Sequence, residues 1–251
     1  MCARRSRGLG VRAIRGGMVA ALSLVLGACA SAGSGARPDW WSAKERELWD
    51  VPNILARHPD VMHRKLGFMH EGDGKLEQAA VEFRKAASFA DKVSQAMLAE
   101  MHFEGRGVAR DPSLAYAWMD LAAERGNPKF LVRRERIWTA LDARQRQTAL
   151  SRGRTLYAEY GDEITKPRIE RILNRARQRL YLGSRGHSAG VAFVNLPGRD
   201  GFQWFPGRIY YDDRYWKPES YFAWSDELYG DPPRVDVKAL RPLPGPTTPE
   251  E

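Results

Sequence analysis

Two runs of apolar residues stand out between Ser94 and Pro128. In the first, Ala96, Leu98, Met101 and Phe103 recur among polar residues at roughly helical spacing, which predicts one helix. Gly105-Arg106-Gly107 predicts its end, because glycine tolerates the left-handed conformation of a helix exit. Asp111-Pro112 predicts a second start, with Asp as N-cap and Pro at the first helical position. Leu114, Trp118, Leu121 and Ala122 then form one apolar face at i, i+4, i+7 and i+8, with Ala115 beside it. Gly126 closes that helix, and Asn127-Pro128 repeats the start signal. The stretch reads as one helical hairpin, around which the rest of the chain is organised.

A weaker copy precedes it. Leu66, Gly67, His70, Gly72 and Gly74 lead into Ala79, Phe83, Ala86 and Ala87. Leu66 to Leu98 and His70 to His102 are both 32 residues, and Ala86 to Ala122 is 36. That is the period of a helical-hairpin array. The first copy has a shorter turn, Asp73-Gly74-Lys75, and lacks the Val-x-x-Asp portion. Downstream, residues 129–140 read as the first helix of a third, degraded unit, residues 141–160 as a further helix, and residues 164–180 as another, with Pro167 near its start.

The hairpin resembles a Sel-one-like repeat, a relative of the tetratricopeptide repeat. The residues carrying the likeness are Leu98, His102, Gly105, Gly107, Val108, Asp111, Ala115, Trp118, Ala122, Ala123 and Gly126. In the divergent first copy they are Leu66, Gly67, Gly72, Ala86 and Ala87. The resemblance implies a mainly α fold, a short α-solenoid of stacked hairpins whose concave surface meets another protein. The physics agrees, since one hairpin cannot bury its own apolar face and two or three must stack. Residues 141–160 are similar to the closing helix that often follows such repeats.

The N-terminus reads as an address. Arg4, Arg5, Arg7, Arg12 and Arg15 precede a short apolar run at 16–26, as in a secretory signal. Leu26-Gly27-Ala28-Cys29 resembles a bacterial lipobox, which implies that Cys29 carries acyl chains after cleavage; the alternative is a plain secretory signal with an incidental cysteine. Cys2 leaves with the signal, so a processed chain has neither a disulfide nor a thiol nucleophile. Ala30 follows Cys29, rather than the Asp that the resemblance associates with inner-membrane retention, so the expected place is the outer membrane, facing the periplasm. This gives a signal at residues 1–28, a Gly/Ser/Ala tether at 29–38 and a helical repeat domain at 39–180. Trp40, Trp41, Leu48 and Trp49 are expected to cap the first repeat; the alternative for the Trp pair is a membrane-interface role.

Composition changes little: 43% hydrophobic and 28% charged is ordinary for a soluble globular chain. Charge changes more. The formal net charge is +9, and residues 129–180 alone carry +8, with 14 basic and 6 acidic groups. A basic face suits an anionic partner, whether an acidic envelope protein, lipid headgroups or cell-wall polymer; the alternative is a solvated helical face. The export signal disfavours nucleic acid.

Residues 181–240 read as a small aromatic-rich β or irregular module, with strands at 191–196 and 202–205 around a turn-rich 197–201. Eleven aromatics fall in residues 202–229. Trp204 and Trp216 among them are candidates for stacking on a cell-wall glycan, against the alternative of a small packed core. The tail, 241–251, is Pro/Thr/Glu-rich and reads as disordered. Residues 186–190 fit G-x-S-x-G around Ser188, but that serine-hydrolase elbow needs a later histidine, and none follows His187. Neither a metal motif nor a nucleotide fingerprint appears, so no cofactor is expected. The reading is a lipid-anchored interaction scaffold and not an enzyme, with a glycan binder as the alternative.

Overall fold

The computed structural model describes residues 54–183, 193–198 and 201–230 of the chain. The signal, Cys29, the tether, Trp40, Trp41, Leu48, Trp49, Ser188 and the tail at 241–251 lie outside the described residues.

The first hairpin pairs α1 (Pro59–Gly72) with α2 (Leu76–Ala87). Pro59 opens α1 at its first position, where a missing N–H costs nothing. The second hairpin pairs α3 (Lys92–Glu104) with α4 (Pro112–Ala122). The Asp111 cap is the one the sequence announces, and the structure adds Asp91 as the cap of α3. The Asp91 carboxylate accepts from the Ser94 N–H at 2.9 Å, and the Asp111 carboxylate accepts from the Leu114 N–H at 3.0 Å. Gly105 ends α3 in the left-handed conformation, φ 75°.

Three further helices follow: α5 (Pro128–Ala140), α6 (Ala143–Tyr160) and α7 (Asp162–Gly183). Asp142 and Gln145 form a capping box at the start of α6, which satisfies two orphan backbone donors at once. The packing runs α1 on α2, α2 on α3 and α3 on α4. Helix α4 then holds both α5 and α6, and α6 leads to α7.

One core runs through the hairpins, from Phe68 and Phe83 through Met97, Leu98 and Trp118 to Phe130, Ile137 and Tyr160. Small residues set the spacing: Ala79, Ala86, Ala87, Ala96, Ala99, Ala115 and Ala122 are fully buried. Two glycines have steric reasons. A side chain at Gly67 would begin 2.6 Å from the Phe83 ring. Gly107 has φ +66° and faces the backbone of Leu76, so the turn of the second hairpin rests on the start of α2.

The C-terminal part adds an antiparallel hairpin, β1 (Phe193–Gly198) and β2 (Gly201–Pro206). Phe193 pairs with Pro206, Asn195 with Trp204, and Gly198 with Gly201. The ladder therefore includes Pro197 and Gly198, which the sequence placed in the turn; a two-stranded sheet is all edge, where proline is tolerated. After the hairpin the chain is helical: α8 (Gly207–Tyr210), α9 (Asp213–Trp216) and α10 (Pro218–Gly230). The sequence pattern predicts a β or irregular stretch here, although the Asp212 cap and Pro218 are local start signals.

A second core joins the first and last described segments. Ile54 and Val61 meet Ile169 and Leu173 of α7 and Tyr215, Trp216 and Tyr221 of the C-terminal helices. The aromatic segment therefore packs on the helical body. Among the described residues, no helix is long and apolar enough to cross a membrane.

Candidate functional site

The second hairpin closes with a 3-10 turn, Ala123–Arg125, and a left-handed Gly126. Asn127 then caps α5 by accepting from the Lys129 N–H at 2.9 Å. This tight exit brings the end of α4 back beside the beginning of α3. Lys92, at the first position of α3, donates to the Leu121 carbonyl at 3.1 Å. Between the two ends lies a cavity of ≈ 180 Å³, with Lys92, Arg125, Asn127 and Phe130 on the repeat side and Ser225 and Asp226 of α10 on the other.

An ion network floors this cleft. The guanidinium of Arg125 grips Asp162 with two hydrogen bonds, of 2.7 and 3.0 Å, and donates to Asp226 at 3.0 Å and to the Ala90 carbonyl at 3.0 Å. Lys92 reaches Glu124 at 2.6 Å and Asp162 at 3.0 Å, and Lys166 reaches Asp162 at 3.0 Å. Phe222 lies under two cations, with Arg125 at 5.2 Å and Lys166 at 4.9 Å from its ring centre. Both faces of charge are thus used internally, three cations against three carboxylates. The side chains of Lys92 and Arg125 are 7% and 9% exposed, whereas that of Asp226 is 46% exposed.

Burial sets the proton affinities. It raises the Asp162 carboxyl, but the Arg125 and Lys92 charges overcome it and hold the group well below the usual range. Burial pushes the Lys92 ammonium down, against the pull of Asp162 and Glu124. Burial also opposes the charge on Arg125, and the two aspartates more than restore it. Removing Asp162, which both Lys92 and Arg125 face, would leave buried cations undercompensated, at a cost of up to about 3–5 kcal/mol.

A second polar junction lies beneath. The Tyr221 hydroxyl donates to Asp60, and Arg64 pairs with Asp91, the cap of α3 and a wall of the cleft. His58 sits on two carbonyls, Ile54 at 2.9 Å and Tyr215 at 2.7 Å, one at each ring nitrogen. Asp60 lies beside it, and burial raises its carboxyl while His58 and the Tyr221 hydroxyl pull it back. Burial and the Asp60 charge push the Tyr221 hydroxyl well above 10.

The repeat residues picked from sequence hold the frame of this site. Ala86, Ala87, Leu98, Ala115 and Ala122 are fully buried, Trp118 and Ala123 nearly so, and Gly67, Gly105, Gly107 and Gly126 occupy the close approaches and turns. Leu66 is half-buried and Gly72 is the exposed end of α1. Asp111 caps α4 and pairs with Arg152 of α6. His102 Nδ1 lies 3.3 Å from the Ala109 carbonyl, its Nε2 has no partner, and burial pushes its proton affinity down. No group of three or more potential metal ligands occurs among the described residues.

The two glycan candidates separate. Trp216 is enclosed in the second core, its indole N–H on the Tyr210 carbonyl, so it has no ring face to offer a sugar. Trp204 stands 71% exposed on β2. Part of the basic stretch is committed internally: Arg133 pairs with Glu100, Arg134 with Asp120, and Arg152 with Asp111. Lys92, Arg125 and Asp162 were missed in the sequence, because Arg125 meets partners 37 and 101 positions away. The one local hint was a lysine at the first position of α3, where a cation opposes the helix dipole.

The Sel1 repeat family model matches residues 92–127, a segment that begins and ends on two residues lining the cleft. A crystal structure of a protective antigen of uropathogenic Escherichia coli strains, displaying an SLR fold, is 30% identical over 44% of this chain, with a TM-score of 0.40. The match covers 25% of that protein, so the chain spans about a quarter of its length. No curated protein matches the chain.

Proposed function

We propose that this chain, a Sel1-like repeat protein whose matched repeat is residues 92–127, is an adaptor held at the cell envelope through lipid on Cys29. Sel1 repeats mediate protein–protein interaction, and folds of this kind are typically scaffolds without enzymatic activity. The observation that carries the reading is the cleft at the two ends of that repeat. Its floor is a rigid ion network, and its outer wall is one exposed carboxylate, Asp226, bound to Arg125. A partner chain bearing a carboxylate takes the place of Asp226 on Arg125, and its neighbouring residues meet Asn127 and Pro128 of the cleft wall. The anchor rests on the basic N-terminal region, the apolar run and the lipobox-like Leu26–Cys29. The partner is an envelope protein with an acidic segment.

Two measurements test this. Metabolic labelling with a palmitate analogue should mark the parent and not Cys29→Ala; equal labelling would refute the anchor. Capture of the envelope partner should weaken as salt rises, because the screening length falls from about 10 Å at 0.1 M to about 3 Å at 1 M. Salt-indifferent capture would refute recognition led by Arg125.

A further inference from the structure

The β hairpin has two unlike faces. Leu196 is buried in the second core, with Val194 and Phe205 packed against it. That contact holds the hairpin on the body. The opposite face carries Phe193, Phe202 and Trp204, which are 58%, 74% and 71% exposed. Asn195, also exposed, lies opposite Trp204 in the register. None of these four side chains is charged. Contiguous exposed aromatics on a soluble body mark a surface that meets something.

We infer that this face lies in the interfacial layer of the lipid bilayer, as a second point of membrane contact beside the acyl anchor. The inference rests on the anchored reading for the nearness of the bilayer. From Cys29 the chain can reach at most about 83–90 Å to Ile54, so an acyl anchor keeps Ile54 within that distance of the surface. Tryptophan and phenylalanine favour the layer between headgroups and acyl chains, where a large ring finds apolar contact and the indole N–H finds water. Arg208, exposed just beyond β2 and without a carboxylate partner among the described residues, suits an anionic headgroup.

Two other occupants fit less well. A glycan platform needs several placed polar groups for the sugar hydroxyls, and this face offers Asn195 alone. A second copy of the chain would gain too little: three aromatic rings bury about 450–750 Å², below the roughly 800 Å² per partner of a stable interface. A bilayer needs no such matching area, because the acyl anchor already supplies most of the residence.

The test uses the mature lipoprotein reconstituted in vesicles of phosphatidylethanolamine and phosphatidylglycerol. Its only natural cysteines are Cys2 and Cys29, and processing with acylation removes both as free thiols. A polarity-sensitive fluorophore on Asn195→Cys therefore reports this face alone, with Gln147→Cys on α6 as the control and the parent chain as the labelling blank. The expected result is a blue shift and loss of emission with brominated lipid at position 195, with neither at 147. Phe202→Ser/Trp204→Ser, two changes at exposed sites, should abolish the signal at 195. Flotation with the vesicles separates the two readings. Protein that fails to float contradicts the anchor. Protein that floats with position 195 unquenched overturns the hairpin inference and leaves the anchor standing. Shielding of position 195 by peptidoglycan fragments, or by a Trp204-dependent dimer in place of lipid, overturns it as well.

Discussion

Asp60 in the first turn of α1 and Tyr221 in α10, 161 positions apart, share a buried hydrogen bond. The second oxygen of Asp60 has no partner. This one bond, with His58 on the Tyr215 carbonyl, ties the two ends of the described chain together beneath the cleft.

Tyr221→Phe should therefore cost about 1–3 kcal/mol, the penalty for leaving a buried acceptor unsatisfied. Urea denaturation reads this directly. The double variant with Asp60→Asn should cost less than the two single changes together, since the residues act as a pair. Additive costs would contradict the coupling.

Acid should weaken the cleft before it weakens the end-to-end junction. The Asp162 carboxyl is held below its usual range, so its stabilisation is complete above the unfolded value of about 3.9 and is lost as pH falls through the folded one. Asp60 has the opposite sign. Its raised carboxyl favours the fold when protonated, and that contribution is lost as pH rises through the folded value. Urea midpoints between about pH 3 and about pH 8 should show Asp162→Asn flattening the acid limb. Asp60→Asn should relieve part of the loss toward neutral pH.

The local signals in the sequence were dependable where one turn decides the outcome. Gly105, Asp111-Pro112, Gly126 and Asn127-Pro128 each do the job their chemistry suggests. What stayed hidden depends on distant partners. Nothing near His58 or Asp60 hints at Tyr215 or Tyr221, and nothing near Arg125 hints at Asp226. The helices after β2 were obscured for another reason. Two are four residues long and their aromatics pack on several sides, so no 3.6-residue stripe emerges. The same density of rings made Trp204 and Trp216 look alike, although one is exposed and the other enclosed.

Trp118→Ala should destabilise the fold by about 3–5 kcal/mol. The ring is buried and sits 4.8 Å from that of Tyr160, linking α4 to the end of α6. A thermal or urea series reads the loss. A change under about 1 kcal/mol would mean that the site collapses around the cavity.

Gly107→Ala should loosen the stacking of the two hairpins. The position needs φ +66° and has the Leu76 backbone against it, so the variant carries both strain and a clash. Hydrogen exchange should accelerate in α1 and α2 more than in α6. Uniform acceleration would contradict a local role.

What touches the cleft decides most directly whether the protein is an adaptor. A photo-crosslinking residue at Ser225, on the α10 wall, should trap a protein partner in intact envelopes, while the same residue at Gln147 on α6 should not. Asp226→Ala removes the internal carboxylate from Arg125 and should raise the yield of that adduct. The adaptor reading is contradicted if Ser225 and Gln147 give the same products, or if the yield at Ser225 does not respond to Asp226→Ala.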